Sequence, residues 1–545
     1  MTVSTSLNVI DLAYIEPSEK LDAQDLLIRL SKQSALSSVI EIILDEAMTL
    51  TKAEGGTFYL VSEEKSASFL EFALAKNRVL DFYVNTLSSP PQSPLSLERI
   101  PLKLENGGYS IRNVATYAAL TRSNVNIEDV YKTDRFDFAG TKKFDQQSGY
   151  YSKSFLTIPL TNSRKEVIGI LQLINAHEHE KEVCFFSKEK EEIVSALASY
   201  AAIALSNHLL NQEYKNLWDS FIQCIAQLID AKSKHTAKHC QRVPYIMNLM
   251  VEAGCLDNEV LQSFDLSEDE KYEIKVASWL HDCGKLATPD FLLNKATKLE
   301  KLIDCIDIIE LKFDLLIKEE KIKILSMPYQ HPLFLLAYLL GFEAKKQEWL
   351  KALQTLKKVN MGGEFLKEEE KNIIKNLSLI ALKNEQGEKI ALISPEEVAV
   401  LCIERGTLSH DERTVINQHI NISIDLLESL PFPKRLKRVA EIAGGHHEKV
   451  DGTGYPKKLK GEQMSIPAKM MAVADIFEAL TSEDRPYKEA MKMSQALGIL
   501  KRMRDQHHID QDIYQLFLRY DVWKDYGQAF MQPAQMDVAD ISAYY

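Results

Sequence analysis

The chain has 545 residues, of which 45% are hydrophobic and 26% charged, and a formal net charge of -13. These values describe an ordinary water-soluble protein with room for two or three domains, and the acidic balance excludes a protein that coats a nucleic-acid polymer. Its seven cysteines include no CxxC pair, which suits a reducing compartment and excludes a disulfide framework.

The first twenty residues contain neither a basic leader nor a long apolar stretch, so cytoplasmic residence is the expectation. Residues from about 22 to 210 read as an α/β unit. Leu26 to Thr51 is helical in period, and Gly56 to Val61 and Ala67 to Ala75 read as strands joined by the polar turn Ser62 to Ser66. Pro90, Pro91 and Pro94 deny a sheet its donors, so that stretch is a loop. Phe155 to Leu160 and Val167 to Asn175 then form a hairpin around Asn162 to Lys165, and a long helix runs from about Lys188 past Asn211. Val194 to Leu210 is the most membrane-like run. It carries Ser195, Ser199, Ser206, Asn207 and His208, and reads as a buried or dimer-forming helix, with no membrane span expected.

This order of elements, with GYYSKSFLTIPLTNSRKEVIGILQLINA from Gly149 to Ala176 as its most typical passage, resembles a GAF domain. Such domains bind small ligands, often cyclic nucleotides, and dimerise through their exit helices. The resemblance therefore implies a sensor domain at about 22–210 and a homodimer formed by a connecting helix at about 190–230. Members that bind cyclic nucleotides follow the strand's last Asn with a basic residue; here Asn175 precedes Ala176, and Phe186 leads to Lys190-Glu191. The GAF ligand is left unassigned.

From about residue 212 strand signals fade and the text becomes helical. Leu299, Leu302, Ile306, Ile309, Phe313 and Leu316 alternate by three and four residues, which predicts a heptad seam. With HPLFLLAYLLGF from His331 to Phe342 and charged helical text to about Ile390, they predict an inserted helical subdomain at about 299–400 whose apolar residues pack in its core.

Five separated elements carry metal-ligating chemistry. They are His239 in KHTAKHCQRV, His281-Asp282 in SWLHDCGK, His419 in VINQHI, the pair His446-His447, and Asp475 in MAVADIFEAL. Imidazole and carboxylate together suit iron, manganese or zinc. Adjacent helical residues diverge by about 100°, so His446 and His447 can share an ion only where the chain leaves the helix. Gly452 and Gly454 supply such a break just downstream. An Asp between histidine sets can bridge two ions, and two ions a few ångströms apart can generate a hydroxide and clamp a phosphodiester. A lone histidine is more often a surface or hydrogen-bonded core residue, so the joint pattern carries the reading. His410 reads as part of a helix start, His507-His508 as a solvated helix end and Cys283 as filler of a small apolar space.

HDCGK, HHEKVDGTGYP and MSIPAKMMAVADIFEALTSEDRPYK, in that order, resemble the HD-GYP family of the HD superfamily over about residues 220–530. The resemblance implies an all-α domain at about 220–545 and a centre of two divalent ions, iron or manganese. His239, His281, Asp282 and Asp475 would hold one ion; Asp282, His419, His446 and His447 the other. Lys285 would join Asp282 in catalysis and hold a substrate phosphate, with Arg485 and Lys488 on the other non-bridging oxygens. Tyr455 and Pro456 would shape the wall, and Asp451 and Gly452 would fix the loop. His235, on the helical face of His239, stands where some members place a glutamate for a third ion. Glu483-Asp484 adds one residue before Arg485, and the insertion falls between two ligand motifs. The implied function is hydrolysis of cyclic di-GMP to pGpG and onward to GMP under GAF control. Two alternatives stay open: another cyclic dinucleotide as substrate, or a catalytically impaired regulatory module.

Overall fold

The computed structural model describes residues 35–64, 67–87, 99–104, 108–178, 183–232, 238–262, 264–328, 332–362, 365–383, 386–482 and 491–545, and a few positions before 35. The chain divides into two units, residues 1–217 and 218–545.

In the first unit, helix α1 (Leu36–Thr51) leads into strands β1 (Gly55–Glu64), β2 (Ala67–Asn77), β3 (Phe82–Asn85) and β4 (Ile100–Pro101). Helix α2 (Val114–Thr121), β5 (Val125–Ile127), α3 (Ala139–Ser148), β6 (Phe155–Thr161) and β7 (Val167–Ile174) follow, then the short pair β8 (Ala176–His177) and β9 (Val183–Cys184). The main sheet is antiparallel with order β3-β2-β1-β7-β6-β5, and β4 pairs with β2. Both hairpins read from the sequence are present, with Gly55 opposite Asn77 and Phe155 opposite Ile174. Because successive strand residues face opposite sides, neighbours in β1 enter different cores. Phe58 packs with Ile40, Leu44, Leu171 and Val194, whereas Tyr59 packs with Val114, Ala118, Phe136 and Ile170.

Helix α4 (Lys188–Lys232) crosses the boundary between the units. Among the described residues it alone is long and apolar enough to cross a membrane by length and composition. Val194, Leu197, Ala198, Ala201 and Leu205 are nevertheless buried in the core of the first unit, the placement of a core helix.

The second unit begins with α5 (His239–Leu256), α6 (Glu268–Leu280), a 3-10 turn at Cys283–Ala287 and α7 (Asp290–Leu293). An insertion follows, comprising α8 (Ile306–Leu325), α9 (Pro332–Asn360), α10 (Glu368–Ser378), the hairpin β10 (Ala381–Lys383) and β11 (Lys389–Ala391), and α11 (Pro395–Leu401). Then come α12 (His410–Asn417), α13 (His419–Ser429), α14 (Val439–Gly444), α15 (Ile466–Thr481), α16 (Met493–Asp505), α17 (Gln511–Arg519) and α18 (Val522–Phe530). One core joins Met247 and Met250 of α5, Leu280 of α6, Ile442 of α14, Met470 and Phe477 of α15 and Phe517 of α17.

The insertion has its own core, in which Ile309, Phe313 and Leu316 of α8 meet Trp349, Leu353 and Leu356 of α9. Three expectations need correction here. The heptad seam starts at Ile306, because the chain turns at an isolated bridge between Glu300 and Asp304 and leaves Leu302 95% exposed. The subdomain is not wholly helical: Gly387, at φ 82°, sits in the turn of a hairpin that pairs Leu382 with Ile390. The apolar run ending at Phe342 does not fill the core, since Phe342 is buried but Leu333, Phe334, Leu336, Tyr338 and Leu340 are exposed.

Candidate metal centre

Five short segments bring the site together, and backbone contacts explain their approach. The 3-10 turn after Asp282 presses directly on the start of α13. A Cβ at Gly284 would collide with the backbone of His419 and Ser423, and the Gly284 amide donates to Ser423 Oγ at 2.8 Å. Helix α14 ends at Gly444 with Gly445 as its cap, so the chain has left the helix before His446, earlier than Gly452. The rings of His446 and His447 can then converge, with centroids 4.3 Å apart. Downstream, a Cβ at Gly454 would strike the backbone of Glu448 and Lys449, and this close approach folds the loop back on itself. Buried Glu448 closes it by accepting from the amides of Lys457 (2.6 Å) and Leu459 (2.9 Å). The Tyr455 amide donates to the His447 carbonyl at 3.2 Å, and the two rings stack at 4.8 Å.

Asp282 lies at the centre, 2% exposed. Its Oδ2 is 3.3 Å from His239 Nε2 and 3.4 Å from His281 Nε2, while its Oδ1 is 3.4 Å from His419 Nε2 and 3.8 Å from His446 Nε2. Asp475, projecting from α15, places Oδ1 3.4 Å from His239 Nε2 and 3.9 Å from His281 Nε2. Two donor groups result, His239 with His281 and Asp282, and His419 with His446 and His447; within each, the donor atoms lie within 4.8 Å of one another.

Four of the imidazoles are oriented from behind. Nδ1 faces the carbonyl of Ser278 for His281 (2.9 Å), Ile416 for His419 (2.5 Å) and Ala443 for His446 (2.6 Å), whereas His239 Nδ1 faces Glu478 Oε2 at 2.6 Å. For His281, His419 and His446, with Nδ1 engaged as donor to a carbonyl, the Nε2 lone pair is the one directed inward, as metal ligation requires. Burial pushes His281 and His446 down to about 4, and burial together with His446 and His419 pushes His447 down as well, so these rings are neutral. Burial opposes charge on His239, but Glu478 and Asp282 overcome it and push it up to about 10. Burial also opposes ionisation of Asp282, which Lys285 and His281 hold well below the usual carboxylate range. Asp282 Oδ1 and His419 Nε2 are buried without a hydrogen-bond partner. A carboxylate oxygen and an imidazole nitrogen facing each other in this way fit a shared cation.

Lys285 Nζ reaches Asp282 Oδ2 at 2.5 Å. His235, Arg485 and Lys488 lie outside the described residues. Ser409 caps α12 at His410, and the carbonyls of His507 and His508 accept from the amides of Asp451 (3.1 Å) and Val450 (3.3 Å), tying the loop to the end of α16.

The sequence reading missed the support behind His239. Glu478 is 2% exposed, and its Oε1 accepts from Arg242 Nε at 2.6 Å while Arg242 Nη2 donates to Ser482 Oγ at 3.0 Å. The signal was available as spacing. Glu478 follows Asp475, and Arg242 follows His239, by three residues on a shared helix face.

Residues 35–205 match the GAF domain family and residues 384–513 the HD domain family. The HD match starts inside the insertion, so His239, His281 and Asp282 precede it. Among curated proteins, the chain is 32% identical over 128 residues to 3'3'-cGAMP-specific phosphodiesterase 1 of Vibrio cholerae, covering 24% of this chain and 28% of that protein. It is 40% identical over 97 residues to 3'3'-cGAMP-specific phosphodiesterase 3 of the same organism (18% and 20% coverage). It is 41% identical over 140 residues to the cyclic di-GMP phosphodiesterase response regulator RpfG of Xanthomonas campestris (26% and 34% coverage). The chain thus spans between a fifth and about a third of the length of these relatives. It joins a GAF domain to an HD domain. HD domains bind divalent metal, and the two donor groups described above are groups that could hold it.

Proposed function

We propose that the second unit is a metal-dependent phosphodiesterase that hydrolyses cyclic di-GMP to pGpG and onward to GMP, under control of the GAF domain. The observation that carries this reading is the division of Asp282, with one carboxylate oxygen toward His239 and His281 and the other toward His419 and His446. Such a carboxylate can serve two ions at once. His239, His281, Asp282 and Asp475 would hold the first, and Asp282, His419, His446 and His447 the second; the resemblance implies iron or manganese, and the nitrogen and oxygen donors suit either, as they suit zinc. When bound, the pair supplies Lewis acidity toward the phosphodiester and activates water.

The chain's own residues do the rest. Lys285, charged against Asp282 and Asp475 despite its burial, takes a non-bridging phosphate oxygen and balances the negative charge that develops there. Arg485 and Lys488 grip the other oxygens, a geometry a guanidinium matches well. Tyr455, stacked on His447, walls the site beside the substrate. His235 would assist a third ion.

Homodimerisation through α4 is supported by its exposed side: Ile203, Leu210, Tyr214, Leu217, Phe221 and Leu228 fall on a three-and-four residue repeat and are all exposed. A second reading, cleavage of 3'3'-cGAMP, is favoured by the names of two of the relatives above.

The test is Asp282→Ala, assayed for metal content and for turnover of a cyclic-dinucleotide panel. Loss of both metal and activity, the latter by about 10³-fold or more, is expected. Turnover with normal metal content in the variant would refute the assignment, and metal without turnover in the unaltered chain would favour a regulatory module.

A further inference from the structure

Helix α8 carries two apolar stripes. Ile306, Ile309, Phe313 and Leu316 form the buried one, inside the core of the insertion. Two residues further along, Ile308, Leu311, Leu315, Ile322 and Leu325 form another, and all five are exposed, Leu311 and Ile322 at 62% each. At about 100° per residue, a shift of two residues turns the second stripe about 200° from the first, so it lies on the side of the helix away from the core. The ion pairs of Glu310 with Lys357 (2.7 Å) and Glu320 with Lys345 (3.1 Å) hold α9 on the buried side.

The outer stripe is itself a heptad seam, spaced by three and four residues, with Lys318 filling the remaining position. Its flanking charges are complementary to those of the same helix turned end over end. Laid antiparallel on a second copy so that Leu315 faces Lys318, the seam sets Leu311 against Ile322 and Ile308 against Leu325 of that copy. Asp314 then falls opposite Lys321 of the second copy, and the two-fold repeats the pair. Both residues are exposed, and neither makes an ion pair among the described residues. On the other flank Lys312 falls opposite Glu319; their contacts within the chain, 3.8 Å to Glu397 and 3.9 Å to Lys323, are at the outer limit of an ion pair. Lys318 lays its aliphatic stem along Leu315 of the second copy and carries its ammonium to water. A slip of one heptad in either direction would set Asp314 against Asp314 or Lys321 against Lys321. A parallel pair would set Asp314 against Glu319 and bury Lys318 against Lys318.

We propose that the outer face of α8 is a docking surface for α8 of a second copy of this chain, lying antiparallel in that register. The contact shares no residue with the one proposed for α4.

The test introduces thiols into the full chain after Cys224, exposed on α4, is replaced by Ser. Leu311→Cys together with Ile322→Cys should give a disulfide-linked dimer under mild oxidation, in excess of the Cys224→Ser parent. Within one helix the two positions stand about 16 Å apart, beyond the reach of a disulfide, so they meet only between copies. Either thiol alone should link no better than the parent. Adding Asp314→Lys to the thiol pair should lower the yield about fivefold, and adding Lys321→Asp as well should restore it; restoration excludes misfolding as the cause of the loss. A double-thiol chain that links no better than the parent would overturn the proposal. Single thiols that link equally well would overturn it too, since they report a parallel pair or random collision. So would an Asp314→Lys change without effect, or a charge exchange that leaves the yield low.

Discussion

Each unit contains a buried polar cluster, and the two are built to opposite plans. In the GAF unit, Asn175 Nδ2 donates to Glu54 (2.7 Å), the Tyr150 hydroxyl (3.0 Å) and the Tyr151 carbonyl (2.8 Å), while its Oδ1 accepts from the amides of Lys153 (2.7 Å) and Ser154 (3.2 Å). Glu54 also meets His177 Nε2 at 2.8 Å, and His177 Nδ1 is the atom left over at the edge. In the cluster around Asp282 in the HD unit, two leftover atoms, Asp282 Oδ1 and His419 Nε2, face each other at the centre. Polar groups that saturate one another lock a fold; polar groups whose open valences converge prepare a place for a ligand. Asn175 belongs to the first kind: it adopts φ 57° at the end of β7 and ties that turn to the start of β1.

Variants in the two clusters should therefore fail in opposite ways. The widest separation is expected between Asp282→Ala, which loses metal and turnover, and Asn175→Ala, which leaves the amides of Lys153 and Ser154 without their acceptor. The latter should lower the stability of the GAF unit by about 2–4 kcal/mol in a denaturant titration, with metal content of the HD unit unchanged; equal metal loss in both would erase the contrast. Glu478→Gln comes next. It keeps the shape behind His239 but removes the charge, and metal affinity should fall about 10–100-fold by competition with a chelator.

The smallest effect is a pH dependence of the metal-free chain. His281 and His446 are pushed down to about 4 in the fold against about 6.5 when unfolded. Their contribution to stability is present above pH 6.5 and is lost as pH falls toward 4. His239, pushed up to about 10, acts with the opposite sign: its contribution is present below pH 6.5 and is lost as pH rises through 10. Melting temperatures measured on the chelated protein across these two windows check both signs.

The convergence of the histidines and aspartates was legible in residue type and order, the two things that metal ligation would constrain. Both GAF hairpins were legible because alternation and turn residues are local signals. Glu478 and Arg242 were harder to see, since their role exists only once α5 and α15 cross and their charges read equally well as a solvated face. The apolar run in α9 was misread for a related reason: composition reports a wish to leave water, and only the folded chain shows that Leu336 stays 52% exposed. The hairpin at Leu382 and Ile390 was hidden among charged residues that are common in helices.

Lys298 has a consequence beyond packing. Its buried ammonium donates to the carbonyls of Leu401 (2.9 Å) and Ile403 (2.7 Å), and its amide donates to the Asn360 carbonyl at 2.8 Å, so the insertion enters and leaves through a single pinch. What lies beyond the pinch can lengthen, shorten or change its surface without moving the segment that carries His281 and Asp282 relative to the one that carries His419. Closing a longer loop there costs little, since each doubling in length adds only about 0.6 kcal/mol. New behaviour can thus be grafted between the two segments that carry the donor groups while their spacing stays untouched.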